Sequence, residues 1–245
     1  MLKTANDPLI KAEFLEEMRA NMTREAFLME YKAEFVEALN SYFPQDLIRK
    51  CVLLAQGEDA ELYSCLESPF PHGNYYAGVD FGKLQDYSVI VVLKREQDSI
   101  LKLVYLHQFP LETPYSQVIG HLVRADQKLK FRKVSVDQTG VGEPVLEEIR
   151  NQGLKNVEGV KFTVQTKEEL LSNLKLFMEQ NRLALPYRRR LCTQINEQQY
   201  AYSKTGHLQF SHPTGSHDDM LWSLALACLA AAREPPRKEP AFTFG

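Results

Sequence analysis

The chain lacks paired cysteines, a long apolar run, a glycine-rich nucleotide loop and an excess of positive charge, and each absence removes a class of protein. Its four cysteines, Cys51, Cys65, Cys192 and Cys228, show no C-x-x-C spacing. Buried free thiols in a reducing compartment are therefore expected, not a disulfide framework. The longest apolar stretch, Leu221 to Ala232, is broken by Ser223 and is too short to cross a bilayer. Met1 to Asp7 has no apolar segment after Lys3, so no secretory leader and no membrane partner are expected. No G-x-x-x-x-G-K-[ST] occurs: Gly82-Lys83 is followed by Leu84, and position 77 is Ala. A formal net charge of -3 argues against nucleic-acid binding through overall positive charge.

What is present is unevenly distributed. Residues 1–70 hold 7 basic and 13 acidic side chains, whereas the remainder holds 22 basic and 19 acidic. That first part reads as helical. Asp7-Pro8 is a cap and first-turn signal, and Phe27, Leu28, Tyr31, Phe35 and Leu39 share one face of a helix after Thr23. The breaker-rich Ser68-Pro69-Phe70-Pro71-His72-Gly73-Asn74 marks a boundary. Residues 1–70 are then a helical segment, 71–232 an α/β domain, and 233–245 a tail carrying Pro235, Pro236 and Pro240.

Beyond the boundary the periodicity changes. Tyr75 to Phe81, Tyr87 to Lys94 and Ile100 to Phe109 read as three strands of an antiparallel meander, with Gln97-Asp98-Ser99 at one turn. A helix follows from Pro114 to Lys128, then a strand at Lys133 to Asp137, a helix at Glu143 to Asn151 and a strand at Val157 to Thr163. Thr166 with Glu169 predicts a capping box for a helix reaching Gln180. Arg188 to Gln199 reads as helix, Tyr200 to Ser211 as a hairpin turning at Thr205-Gly206, and Ser216 as the cap of a final helix. Three strands followed by alternating helix and strand predict a mixed sheet with helices on its faces.

Three acidic clusters sit at the junctions of this pattern: Val79-Asp80-Phe81-Gly82 with Asp86 beyond, Val136-Asp137, and His217-Asp218-Asp219. If the fourth strand lies parallel beside the first, Asp80 and Asp137 share the carboxyl end of neighbouring strands, where open α/β sheets place their sites. Carboxylates so close repel unless a cation lies between them. Mg²⁺ and Mn²⁺ take oxygen ligands of this kind, and two such ions about 3.5–4 Å apart suit phosphodiester hydrolysis. The plain alternative is that aspartates at strand ends and helix starts are turns and caps, and Asp219 in particular stands at a capping position.

At these residues the chain resembles a known family. Gly78-Val79-Asp80-Phe81-Gly82 with Asp86-Tyr87-Ser88, then Val136-Asp137-Gln138-Thr139-Gly140-Val141-Gly142, then Ser216-His217-Asp218-Asp219 before an alanine-rich helix, is similar to the nuclease domain of tailed-phage large terminase subunits. The resemblance covers about Gly73 to Ala232. Residues 8–37, with Glu30-Tyr31-Lys32-Ala33-Glu34-Phe35, also resemble the segment joining motor to nuclease in that family. The resemblance implies a ribonuclease-H-like fold and a metal-dependent endonuclease cutting concatemeric viral double-stranded DNA during packaging, in a host cytoplasm. Asp80, Asp137 and Asp219 would be the core catalytic and metal-binding carboxylates, with Asp86 and Asp218 as accessory ligands and two Mg²⁺ or Mn²⁺ ions as cofactor. An ATPase motor, a portal and a small terminase subunit would be partners. Without a Walker loop, translocation is not expected of this chain alone.

Arg188, Arg189 and Arg190, with Arg182 and Lys204 nearby, form the densest basic group. They suit DNA phosphates or, equally, a solvated helix face or the acidic residues 1–70. Lys83 and Lys94 would flank the carboxylates if the first two strands pair as expected. His207, His212 and His217 recur every five residues, a spacing that fits no helical zinc pattern; His217 stands beside the acidic pair. Two other functions remain compatible with the residues: an actin-like or sugar-kinase-type nucleotide-binding protein, since Val79-Asp80-Phe81-Gly82 resembles their first phosphate loop, and a non-catalytic DNA-binding packaging module.

Overall fold

A computed structural model of the chain describes residues 41–55, 71–82, 86–96, 99–202 and 208–234. The amphipathic stretch Arg24 to Leu39, the turns at Gln97-Asp98 and Thr205-Gly206, Cys65, His207 and the proline-containing tail lie outside these residues, as do Lys83 and Lys204. The described elements are α1 (Gln45–Leu54), β1 (Asn74–Asp80), β2 (Val89–Arg95), β3 (Leu101–Gln108), α2 (Tyr115–Leu129), β4 (Lys133–Asp137), α3 (Gly142–Asn151), β5 (Val157–Val160), α4 (Val164–Glu179), β6 (Leu183–Ala184), α5 (Arg189–Glu197), β7 (Gln199–Tyr202), β8 (Leu208–Ser211) and α6 (Asp219–Ala232).

Six strands form one sheet in the order β5-β4-β1-β2-β3-β6, and β7 and β8 form a separate hairpin. Short connections make β1, β2 and β3 an antiparallel meander, while the helical crossovers bring β4 parallel to β1 and β5 parallel to β4. Side chains alternate between the two faces. Tyr75, Ala77 and Val79 of β1, with Ile90 and Val92 of β2, face a core closed by α2 and α3. Tyr76, Val91 and Leu93 face a second core built from α1, α4, α5 and α6. Both faces are covered, which is why β1 and β2 read as continuous apolar runs.

α6 is apolar all round because it is enclosed all round, with Leu221, Leu224, Ala225, Ala227 and Cys228 fully buried. It lies directly on β1 at Gly78, where a Cβ would stand 2.0 Å from the Ser223 carbonyl oxygen and 2.3 Å from the Ala227 nitrogen. Only glycine permits that approach. The Ser223 hydroxyl donates to the Val89 carbonyl at 3.1 Å. At the other end of α6, the Arg95 guanidinium donates to the Ala231 and Glu234 carbonyls and lies 4.7 Å from the Tyr76 ring centroid. These bonds satisfy carbonyls that a helix end otherwise leaves unpaired.

Several boundaries differ from expectation. The capping box of α4 forms one turn earlier, between Thr163 and Thr166 and not Thr166 and Glu169, because the extended backbone of Thr163 presents its hydroxyl to the Thr166 N–H. α6 begins at Asp219 with Asp218 as its cap residue; the Ser216 hydroxyl donates to the Pro213 carbonyl instead. β6 has only two residues, too few to show a period. Residues 41–55, within the segment expected to be a helical appendage, belong to the core: Phe43, Ile48 and Cys51 are fully buried beside α4, α5 and α6. Their backbone is bonded in as well, with Leu185 N–H donating to the Cys51 carbonyl at 3.0 Å and Tyr42 N–H to the Gln198 carbonyl at 2.7 Å.

Candidate active site

The parallel register pairs Val79 with Val136, so Asp80 and Asp137, one residue further along each strand, stand side by side where β1 and β4 finish. α6 runs back across this face of the sheet and delivers Asp219 to the same end. Gly82 lets the chain fold back tightly after β1, since a Cβ there would stand 2.2 Å from the Asp86 carbonyl oxygen. Asp86 returns toward the site by this route.

Electrostatics record the convergence. Burial raises Asp80 well above the ordinary carboxylate range, and Asp137, Asp219, Asp218 and Asp86 each add to the rise. Asp219, 5% exposed, is pushed up to about 6, chiefly by burial; Asp86 and Asp218 raise it further, while a hydrogen bond from the Tyr87 N–H and the nearby His217 oppose this. Burial also raises Asp137, against hydrogen bonds from Thr139 and the charge of Lys167. All five expected carboxylates therefore share one locality, and their mutual repulsion is the state that a bound cation relieves.

Each carboxylate is held differently. Asp137 Oδ1 accepts from the Thr139 N–H at 2.8 Å and the Thr139 hydroxyl at 2.6 Å, and that hydroxyl in turn accepts from the Phe162 N–H at 2.8 Å. Asp218 Oδ2 accepts from the Trp222 indole N–H at 2.7 Å. His212 Nε2 lies 3.8 Å from Asp218 Oδ1, and His217 Nδ1 lies 3.8 Å from Asp219 Oδ2. The His217 ring rests against Tyr87 with centroids 5.0 Å apart. Asp219 Oδ2 is buried without a hydrogen-bond partner among the described residues. A buried carboxylate oxygen in that condition is costly unless a cation or water takes it up. The donor set is all oxygen, which fits a hard divalent ion, although among the described residues no three His, Cys, Asp or Glu side chains already form a cage. Asp219 is thus not a capping side chain: α6 shows no side-chain cap bond at its start.

The basic residues divide. Arg189 and Arg190 open α5 and Arg188 precedes it; Arg190 Nη1 lies 3.5 Å from the Gln108 amide oxygen. Gln108 ends β3, which runs parallel to β1, so Arg190 borders the carboxylate end of the sheet. Lys94 does not flank the site. The antiparallel register pairs it with Tyr75 at the start of β1, and its ammonium binds Glu96 at 3.1 Å. Sequence reasoning missed Thr139 and Trp222, which hydrogen-bond to the carboxylates, and Lys167, whose charge is felt by Asp137. Thr139, two residues after Asp137, had a local signal in the Asx-type turn it makes, and Trp222, one helical turn after Asp218, had one in its i,i+4 spacing; Lys167 comes from a distant element and had none.

Comparison with known proteins agrees with this fold. The family model described as Terminase RNaseH-like domain matches residues 77–231. A large terminase subunit of Thermus virus P23-45 is 30% identical over 218 residues, which is 89% of this chain and 43% of the relative. The chain thus spans less than half the length of that curated relative. The large terminase nuclease of the thermophilic phage G20c superposes with a TM-score of 0.63 at 26% identity, over 78% of this chain and 98% of the other. The nuclease domain of the Thermus phage P74-26 large terminase gives a TM-score of 0.55 at 26% identity, over 71% and 93%. By its matching sequence, its ribonuclease-H-like sheet and its relatives, the chain belongs to the terminase RNaseH-like domain family.

Proposed function

We propose that this chain is a metal-dependent endonuclease that cuts double-stranded, concatemeric viral DNA during genome packaging in the host cytoplasm, by a two-metal mechanism. The observation that carries the reading is the meeting of Asp80, Asp137 and Asp219 at one end of the sheet, with one oxygen of Asp219 buried and unpartnered among the described residues. The G20c nuclease was solved with bound magnesium and with bound cobalt, which supports the assignment of a divalent cofactor.

Asp80, Asp137 and Asp219 would hold two Mg²⁺ or Mn²⁺ ions, with Asp86 and Asp218 as accessory ligands. Such ions supply Lewis acidity to the scissile phosphate and make water nucleophilic near neutral pH. The residues of the chain set the arrangement. Thr139 occupies Oδ1 of Asp137 and leaves its other oxygen for the site. Trp222 fixes Asp218, and His217 lies against Asp219, where it can orient a water. Arg188, Arg189 and Arg190, with Lys83 and Lys204, would hold DNA phosphates without reading bases, since the sequence carries no recognition-helix or zinc-finger pattern. An ATPase motor, a portal and a small terminase subunit are the proposed partners.

Supercoiled plasmid incubated with Mn²⁺, Mg²⁺ or EDTA tests this reading. Nicked and linear products should appear with the metals and not with EDTA, and Asp80→Asn and Asp219→Asn should remove them while retaining the circular-dichroism spectrum. Cleavage that survives EDTA, or an Asp80→Asn protein as active as the parent, would exclude the site.

A further inference from the structure

Lys167 occupies the first turn of α4, where the β5–α4 connection meets the start of α6. Its Nζ lies 4.9 Å from the centroid of the Trp222 ring and 5.6 Å from that of Phe162. The two rings pack against each other with centroids 4.9 Å apart. Both are tied to the carboxylates: the Trp222 indole donates to Asp218, and the Phe162 N–H donates to the Thr139 hydroxyl that holds Asp137. The aromatic seat is therefore built into the acidic site from two sides, and the charge of Lys167 favours the ionised form of Asp137.

A cation in this position has two uses. It can neutralise the carboxylates, or it can receive an anion that arrives beside them. No ion pair fixes the Lys167 ammonium among the described residues, whereas Lys94, Lys133, Arg132, Arg150 and Arg233 are each paired with a glutamate. Aromatic faces attract an ammonium electrostatically without cancelling its charge or taking its N–H donors. A half-buried lysine so seated keeps donors for an oxyanion.

DNA approaching five aspartates is repelled everywhere except where positive charge offsets them. Arg190 lies on the β3 flank of the carboxylate end, and Lys167 lies on the β5 flank. We propose that Lys167 is a substrate-positioning residue whose ammonium, seated on Phe162 and Trp222 beside Asp137, holds a DNA phosphate next to the one being cut. This rests on the nuclease reading above, with duplex DNA as the substrate.

The test compares the full chain with Lys167→Gln and Lys167→Arg, using cleavage of a labelled duplex in Mn²⁺, duplex binding by fluorescence anisotropy in EDTA across a salt series, and melting against Mn²⁺ concentration. Lys167→Gln should raise KM about tenfold with kcat little changed, and flatten the salt dependence of binding by about 0.9 in log–log slope, the value for a single neutralised phosphate. Lys167→Arg should restore both, and the Mn²⁺ midpoint should match the parent in all three proteins. Unchanged KM and salt slope in Lys167→Gln would overturn the proposal. So would a weaker Mn²⁺ midpoint with normal DNA binding, which would make Lys167 a prop for the carboxylates. A parent that binds duplex without cutting it would sink the nuclease reading while the anisotropy series still judges Lys167. A parent that does neither overturns both.

Discussion

A single histidine outside the carboxylate site shows how burial sets residue behaviour here. His121 of α2 stacks on His107 with centroids 4.7 Å apart, and its Nε2 lies 2.7 Å from the Tyr105 hydroxyl. Burial, His107 and Arg124 push it down to about 4. The unfolded chain would then protonate this ring below about pH 6.5 while the folded chain does not. Its contribution is fully present above that value and is lost as pH falls toward 4. Asp219, raised to about 6 in the fold, acts with the opposite sign within the same window, so only a difference isolates the histidine. Between pH 7 and pH 5 the parent should lose more melting temperature than His121→Phe, which keeps the stacked ring but cannot titrate. Equal losses would show that charging His121 costs the fold nothing.

Among the elements, α1 and the residues before it are the least expected part of the core. Phe43 and Ile48 are 0% exposed and sit beside α4, α5 and α6 although their sequence neighbourhood is acidic and helical. The breakers from Ser68 to Asn74 punctuate the chain without separating these residues from the domain behind them. Deletion of residues 1–68 should therefore give an insoluble or strongly destabilised protein, because it strips side chains from beneath α6. Phe43→Ala in the full chain should cost about 3–5 kcal/mol by urea denaturation. A soluble, cooperatively folding 69–245 fragment with parent-like stability would show that α1 adds nothing to the core.

Over the whole molecule, the candidate site residues gather at one end of the sheet. β1 and β4 end there with Asp80 and Asp137, α6 begins there with Asp219, and β3 ends there beside Arg190. The overall negative charge is compatible with DNA as substrate because positive groups border the acids locally. Neutralising Arg188, Arg189 and Arg190 together should weaken duplex binding and reduce its log–log salt slope by about 0.9 for each phosphate that the arginines had neutralised. An unchanged slope would assign the triplet to a solvated helix face.

The sequence by itself determined the α/β class, the meander and the helical crossovers, and pointed to five aspartates as candidates, because period-2 and period-3.6 patterns and motif order are local properties of the chain. It left Asp80 and Asp137 adjacent on the condition that the fourth strand lies parallel beside the first, which the strand register supplies. The tertiary structure alone decided that residues 41–55 are core, that Lys94 lies away from the site, and that Asp219 is free of a capping role. It alone brought Lys167 to the carboxylates. These outcomes depend on strand register and on the path of α6 over Gly78, and both are set by contacts between residues far apart in sequence, which no local pattern encodes.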